Sequence, residues 1–379
     1  MELRENLEQS VWNPTDDVSN YKLVEPNDFV IGLRSFQHGF SSSSVRGLVS
    51  PAYTVFRPGL EVDHRYYKYY FRSARFLAQL ANIAQGIRQG KTIDFEDFAN
   101  LQVPLPDLQD QRRIADFLDG ESSRIDGVVK SRRKQMALLE EREYSRIFHA
   151  IRGAAERGHR RHSGVGWLGD VPVSWPVLSV TSQFEVLLGK MLNQERARGD
   201  HLKPYLRNTN VQWDRITTED LLEMNFPPHE RQRYLVRAGD LLICEGGQPG
   251  RSAIWDGSVE EIYYQKALHR ARSRGRSSVR WLFYCLKAAA ALDVFSAEGN
   301  TTTIGHLTGE QLRSHRFPFP DRVTQNRIVS ELDEVTEHVR QLNELFVRQV
   351  QMLTERRQAL VTAAVNGEID VEAARGAGV

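Results

Sequence analysis

One segment of this chain occurs twice, with no insertion or deletion between the copies. The first copy runs from Pro104 to Gly153 and the second from Pro318 to Gly367, so both ends are displaced by 214 positions. Pro104-Leu105-Pro106-Asp107 is matched by Pro318-Phe319-Pro320-Asp321. Gln111, Arg113, Ile114, Leu118 and Asp119 are matched by Gln325, Arg327, Ile328, Leu332 and Asp333. A repeat of this length constrains the fold before any other feature does, because each copy must form the same unit and bury the same face.

Each copy reads as one long helix. The prolines and an aspartate stop what precedes it, and Asp110 and Thr324, at equivalent positions, have side-chain oxygens suited to capping the first turn. In the second copy apolar residues return every three or four positions, at Ile328, Leu332, Val335, Val339, Leu342, Phe346, Leu353 and Leu360. Ile114, Leu118, Ile125, Val128 and Leu139 follow more loosely in the first. That spacing is a coiled-coil seam. Gln135 and Gln349 interrupt it at the same place, as do Arg142 and Arg356, and Gly153 and Gly367 suit the position just past a helix end. Roughly 40 residues make a rod of about 60 Å. Two such rods in one chain most simply pack on each other, antiparallel. An ordinary helical hairpin core is the alternative; the equal lengths and shared opening favour a pair of spacer helices.

A chain of 379 residues has room for two or three domains, and its 40% hydrophobic content supports real cores. The formal net charge of +1 does not mark a nucleic-acid binder, although it leaves room for a local basic face. Cys244 and Cys285 lie far apart without metal-like spacing, which fits a reducing compartment. No apolar run approaches the ~18 residues of a membrane span, and Met-Glu-Leu-Arg-Glu at the start carries no apolar signal region. A cytoplasmic protein without membrane association is expected.

A fuzzier repeat precedes each long helix. Tyr21 to Ile31 matches Tyr234 to Ile243, with Asp28 against Asp240. A Gly-containing polar loop, a strand, an aromatic-rich helix and a Gly break follow in both. Tyr66 to Gln85 and Ser278 to Phe295 read as those helices, and Lys203 to Val211 and Tyr234 to Ile243 read as strands. The expected fold is α+β, with two globular units alternating with two long helices. The boundaries fall at residues 1–103, 104–153, 154–317, 318–367 and a tail at 368–379.

The pattern Pro-x-Pro-x-x-x-x-Gln-x-x-Ile-x-x-x-Leu-Asp, leading a long helix and occurring twice, resembles the specificity subunits of type I restriction–modification systems. Trp167-Leu168-Gly169, Pro172 and Trp175, and the run Gly239-Asp240-Leu241-Leu242-Ile243 with the glycine loop Gly246 to Arg251, resemble the same family. The resemblance implies that each globular unit is a target-recognition domain reading one half of a split DNA sequence. It implies spacer helices that fix the gap between the halves and dock two modification subunits, joined by restriction/translocase subunits. S-adenosylmethionine, ATP and Mg would sit on those partners, and none in this chain. The Trp167 motif and the Lys203–Val211 stretch have no counterpart before Tyr21. The first recognition domain is therefore expected to be truncated at its N-terminus, by a mis-set start, gene decay or a natural half-domain. Self-association to supply a whole pair of domains is a further expectation.

No catalytic or metal constellation is evident. Gly86-Ile87-Arg88-Gln89-Gly90-Lys91-Thr92 mimics a phosphate loop but has one residue too few between its glycines and follows a helix. Asn225-Phe226-Pro227-Pro228 has the letters of an amino-methyltransferase tetrad in the wrong order, and the histidines show no ligand spacing. Base readout needs Arg, Lys, Asn or Gln held on firm loops. The candidates are Arg34, Gln37 and His38 in the first unit, and Arg207, Asn208, Asn210, Gln248 and Arg251 in the second. Arg157, Arg160, Arg161, Lys266 and Arg270 are candidates for backbone phosphate. Each has a solvated surface residue as its plain alternative, and Gly247–Gly250 has a simple hairpin turn. Pro104, Pro106, Gln111, Arg113, Pro318, Pro320, Gln325 and Arg327 are expected to fix the junction of domain and helix, with partner contact as the other option. A non-DNA coiled-coil adaptor and an enzyme with an unrecognised site are the rival classes.

Overall fold

The computed structural model describes residues 18–32, 40–83, 95–192, 198–297 and 306–376; Arg34, Gln37, His38 and the Gly86–Thr92 segment lie outside them. In chain order, strands β1 (Lys22–Val24), β2 (Phe29–Gly32), β3 (Ser41–Ser42), β4 (Gly47–Val49) and β5 (Tyr53–Phe56) come first. Helices α1 (His64–Tyr70), α2 (Ala74–Ile83), α3 (Phe95–Ala99) and the long α4 (Leu108–Ile151) follow. Next are β6 (Arg160–His162), β7 (Asp170–Pro172), β8 (Val177–Ser179), α5 (Val180–Gln183), β9 (Phe184–Leu188), β10 (Leu202–Leu206), β11 (Val211–Gln212), β12 (Arg215–Ile216), β13 (Leu222–Asn225) and α6 (Pro228–Tyr234). The chain then forms β14 (Leu241–Cys244), β15 (Ser252–Ile254), β16 (Tyr263–Tyr264), β17 (Leu268–Ser273), α7 (Val279–Ala291), α8 (Val294–Ala297) and α9 (Gly309–Ser314). Strand β18 (Arg316–Pro318), the long α10 (Arg322–Val365) and α11 (Val371–Gly376) complete it.

Both long helices have 44 residues and begin one turn earlier than the capping argument expects. Asp107 accepts the Asp110 N–H at 2.7 Å, and Asp321 accepts those of Val323 and Thr324 at 2.9 and 3.0 Å. The capping residue is thus the aspartate that follows the second proline, while Asp110 and Thr324 sit inside the first turn. Proline cannot donate and fixes an extended approach, which places the next side chain at the cap. Four other elements differ from expectation. The first aromatic helix is split into α1 and α2 at Phe71–Ser73, and the second into α7 and α8 where Asp293 has φ +52°. Tyr234 ends helix α6, and a turn with Gly239 at φ +89° precedes β14. Strand β10 stops at Leu206 and a 3₁₀ turn at Asn208–Asn210 follows.

The chain divides into two compact units, Met1–Lys134 with Leu345–Val379, and Gln135–Glu344. In the first, β2 is central to an antiparallel sheet ordered β3-β2-β5, with Phe29 opposite Phe56. Its core joins Phe29, Phe40, Tyr66, Tyr70, Phe71 and Phe76 to Leu118 of α4 and Val361 and Val365 of α10. The two helix segments run in opposite directions here: Asp126 pairs with Arg357, and Arg132 lies over the Phe346 ring at 5.0 Å. The seam is only half-buried, and Val128, expected in it, is exposed.

In the second unit an antiparallel sheet ordered β15-β14-β17-β9 packs against α7, and Trp175, Trp281, Phe184, Phe317 and Phe319 fill the core. Ile147 and Ile151 of α4 and Ile328 and Leu332 of α10 close it. A second sheet, β13-β10-β16, carries its own aromatic cluster of Tyr205, Phe226 and Tyr263. It has no counterpart among the described residues of the first unit.

The two units share one turn. Asp28 accepts the Glu25 N–H at 2.8 Å and the Arg57 Nε at 2.9 Å; Asp240 accepts the Arg237 N–H at 2.8 Å and the Arg272 Nε at 2.7 Å. Asn27 and Gly239, which precede these aspartates, both have positive φ. Both carboxylates are buried, so each needs its arginine.

Candidate nucleic-acid interface

The polar loops of the second unit separate into tips and struts. Gln248 lies exposed at the tip of the glycine loop, and Lys266 lies exposed in the turn between β16 and β17. Asn208 donates to the Gly246 carbonyl at 2.9 Å, and Arg251 donates to the Asn208 carbonyl and amide oxygens at 3.1 and 3.2 Å. Asn208 and Arg251 therefore hold the 3₁₀ turn against the glycine loop, which fixes where Gln248 points. Arg207 pairs with Asp220 at the edge of the same turn. Thr209 and Gln212, also exposed beside Asn208, are polar tips that the sequence pattern did not single out.

Two candidates are corrected by burial. Asn210 is 0% exposed; its oxygen accepts the Arg207 N–H at 2.9 Å and its nitrogen donates to the Thr217 carbonyl and Asp220. Arg270 is 1% exposed; its guanidinium donates to the Arg233 and Leu235 carbonyls at 3.1 and 2.8 Å and to Glu185 at 2.9 Å. Neither side chain reaches solvent, so neither can reach a base or a phosphate. Arg160 and Arg161 are exposed but committed: Arg160 donates to the carbonyls of Arg152, Gly153 and Asp170, and Arg161 to that of Trp175. Arg157 is exposed. Among the described residues no three His, Cys, Asp or Glu side chains could hold a metal ion, and no helix is long and apolar enough to cross a membrane.

The helix openings are built alike in each unit. Gln111 is buried; its oxygen accepts the Asp63 N–H at 2.7 Å and its nitrogen donates to the Glu61 and Pro106 carbonyls at 3.0 and 2.8 Å. Gln325 is buried; its oxygen accepts the Ser278 N–H at 2.8 Å and its nitrogen donates to the Pro320 carbonyl at 2.7 Å and Ser277 Oγ at 3.2 Å. Asp63 and Ser278 are the residues that start α1 and α7, so each glutamine pins the first turn of its unit's helix to the long one. Pro104 and Pro318 contribute carbonyls that accept Tyr67 Oη at 2.6 Å and Trp281 Nε1 at 2.8 Å. Arg113 pairs with Asp110 and Glu372, and Arg327 with Glu156 and Glu331, all at the surface.

A second tier was not anticipated. Arg65 pairs with Asp116 at 2.7 Å and Asp119 at 3.6 Å, and Tyr69 donates to Asp119 at 2.7 Å. Arg280 pairs with Asp333 at 2.6 Å, and Tyr284 donates to the same carboxylate. Burial, with the Asp119 carboxylate adding to it, pushes the Tyr69 hydroxyl up to about 12. The signal was present: Arg-x-x-x-Tyr recurs 215 positions apart in otherwise different helices. Arg280 also pairs with Asp214 at 2.6 Å, tying the β11–β12 turn to α10.

Residues 43–127, from just past β3 into α4, match the type I restriction modification DNA specificity domain. That match places a DNA specificity domain of type I restriction–modification systems in the first unit of this chain. Among curated proteins it is similar to the type I restriction enzyme MjaVIII specificity subunit of Methanocaldococcus jannaschii, 20% identical over 294 residues. That alignment takes in 74% of this chain and 65% of the archaeal protein, so the chain spans less than two thirds of this relative. Among solved structures it is similar to a chain from a study of complex assembly and conformational transition of the type I R-M system. The TM-score is 0.72 at 18% identity, over 93% of this chain and 85% of that one. The HsdS subunit of Thermoanaerobacter tengcongensis follows at TM-score 0.50 and 17% identity, over 93% and 84%.

Proposed function

We propose that this chain is the non-catalytic, DNA-reading subunit of a type I restriction–modification complex. The match of residues 43–127 to a DNA specificity domain carries the reading, and the twin helix junctions support it, since they give two globular units the same seat. Each unit reads one half of a split duplex sequence from loop tips, with Gln248, Thr209, Gln212 and Lys266 as the second unit's contacts. Asn208 and Arg251 position those tips. Helices α4 and α10 serve as spacers that set the gap between half-sites and offer their outer faces to two modification subunits. Those subunits carry S-adenosylmethionine and methylate adenine; restriction/translocase subunits with ATP and Mg join them, in the cytoplasm.

The test is methylation mapping in a host that expresses this chain with its modification subunit. Adenine methylation at one split motif is expected. DNA affinity of the purified complex should also fall by about 10³-fold between 50 and 200 mM salt if six or more phosphates are contacted. Salt-independent binding together with no methylation, beside an active control subunit, overturns the reading in favour of a protein-only scaffold.

A further inference from the structure

The hairpin of β11 and β12 carries Gln212, one of the second unit's polar tips, and its loop does not hold itself in place. Gln212 pairs with Arg215, which leaves Trp213 and Asp214 as a two-residue loop. Of these two only Asp214 is left-handed, at φ +59°. Tight hairpin loops that follow the twist of their strands have positive φ at the first loop residue, and the reverse arrangement splays the strands. The direction of this hairpin is therefore set from outside it.

Two contacts with α7 set it. The Trp213 ring stands edge-on to Phe283 at 5.9 Å. Both carboxylate oxygens of Asp214 accept from the terminal nitrogens of Arg280, Nη2 donating at 2.6 Å. The same guanidinium lies 4.5 Å from the centre of the Phe283 ring, and its Nε donates to Asp333 of α10 at 2.6 Å. One planar group thus meets the hairpin loop with its fork and the spacer helix with its remaining N–H. A lysine has neither the fork nor the plane. In the first unit Arg65 holds the equivalent place, and its partners are Asp63, Asp116 and Asp119, at its own helix start and on α4. Of these two arginines, only Arg280 extends the socket to a hairpin loop among the described residues.

We propose that Arg280 is a positioning residue for sequence readout. Without touching DNA, it sets where Gln212 and Thr209 stand relative to α10, and so governs which bases of the second unit's half-site are told apart. The proposal rests on the DNA-reading role given above. Gln212 donates to the Thr209 carbonyl at 3.3 Å, so the two tips move together with the hairpin. Contacts with base edges are directional hydrogen bonds and weaken steeply once donor and acceptor fall out of line. Attraction to phosphate acts through charge and carries no sequence information. A hairpin released from Arg280 therefore keeps its attraction for DNA and loses its preference among bases.

The test is methylation by the complex of this chain with its modification subunit, on the target duplex and on duplexes with one base pair changed in either half. Arg280→Lys keeps the charge. Asp214→Asn keeps the shape, tolerates the left-handed conformation and leaves the bond to Asp333 in place. Each should cut discrimination about tenfold at one or two base pairs of the second unit's half-site, the size of one displaced base contact. Discrimination in the other half, affinity for unrelated duplex and its salt slope should stay as in the unaltered chain. Gln212→Ala should lose discrimination at the same base pairs, and Arg280→Lys added to it should lose no more, since one acts through the other. A general loss of methylation with base preferences intact would make Arg280 a purely structural residue and overturns the proposal, as do losses that add in the double variant. Base preferences that both single variants retain in full sink the proposal alone. An unaltered complex with no sequence preference removes the DNA-reading role and the proposal with it.

Discussion

Gln111 and Gln325 use both ends of the amide in a buried setting, which makes them hard to replace. In Gln325→Leu the Ser278 N–H and the Pro320 carbonyl lose their partner while still buried. An orphaned buried polar group costs about 1–3 kcal/mol, so chemical denaturation of the second unit should show a loss of about 2–4 kcal/mol. His269 is a different kind of buried polar residue. Its Nε2 faces the Leu307 carbonyl at 2.8 Å, and a carbonyl only accepts, so Nε2 carries the proton. Nδ1 is buried without a partner. Burial lowers the imidazole below its ordinary 6.5, Glu245 opposing and Arg313 reinforcing the shift. The unfolded chain therefore binds a proton that the folded chain refuses. Stability of the second unit should fall as pH drops through 6.5 and be unaffected by this group above it. Thermal melts between pH 5 and 7 should show the slope, and His269→Gln should reduce it. These residues also show where reading by residue type stops. Asn210 and Arg270 have the chemistry of base and phosphate contacts, but satisfied burial uses the same chemistry, and only the surrounding shell decides between the two. Gln248 and Lys266, an amide and a cation of the same chemical kind, lie at exposed turns, whereas Asn210 is enclosed within its own 3₁₀ turn and Arg270 within β17.

The elements that could be read from the chain were those whose signal is repeated. Two helices of equal length followed from one motif copied without a gap, and the Asp28 and Asp240 turns from a weaker copy. Their ends were less legible, because Asp107 and Asp110, or Asp321 and Thr324, are both good capping residues and the position of the proline decides between them. Asp321→Ala should lower stability by about 1 kcal/mol through loss of the cap, and Thr324→Val should do less, since the N–H bonds run to Asp321. The second sheet, β13-β10-β16, was the least legible element. Its strands are short, β10 pairs antiparallel with one neighbour and parallel with the other, and Phe226 stacks on Tyr263 at 4.2 Å across a long sequence gap. Local periodicity carries no trace of such pairing.

At the scale of the whole chain, each unit has its own aromatic core, so unfolding should not be a single cooperative event. Trp281→Ala removes a large ring from one core and a hydrogen bond to Pro318; a loss of about 3–5 kcal/mol is expected. Calorimetry should show one transition moving down and the other holding its place. The twin junctions have a consequence for how such a chain can change over generations. Gln111 and Gln325, and Asp119 and Asp333, lie in stretches of matched sequence, and Arg65 with Tyr69 and Arg280 with Tyr284 complete the same socket twice from otherwise different helices. Crossing-over between the two copies, or with the gene of a relative, would exchange an entire globular body while leaving its mounting intact. A lineage carrying this socket can acquire a new set of loops in one recombination, where point mutation would need many.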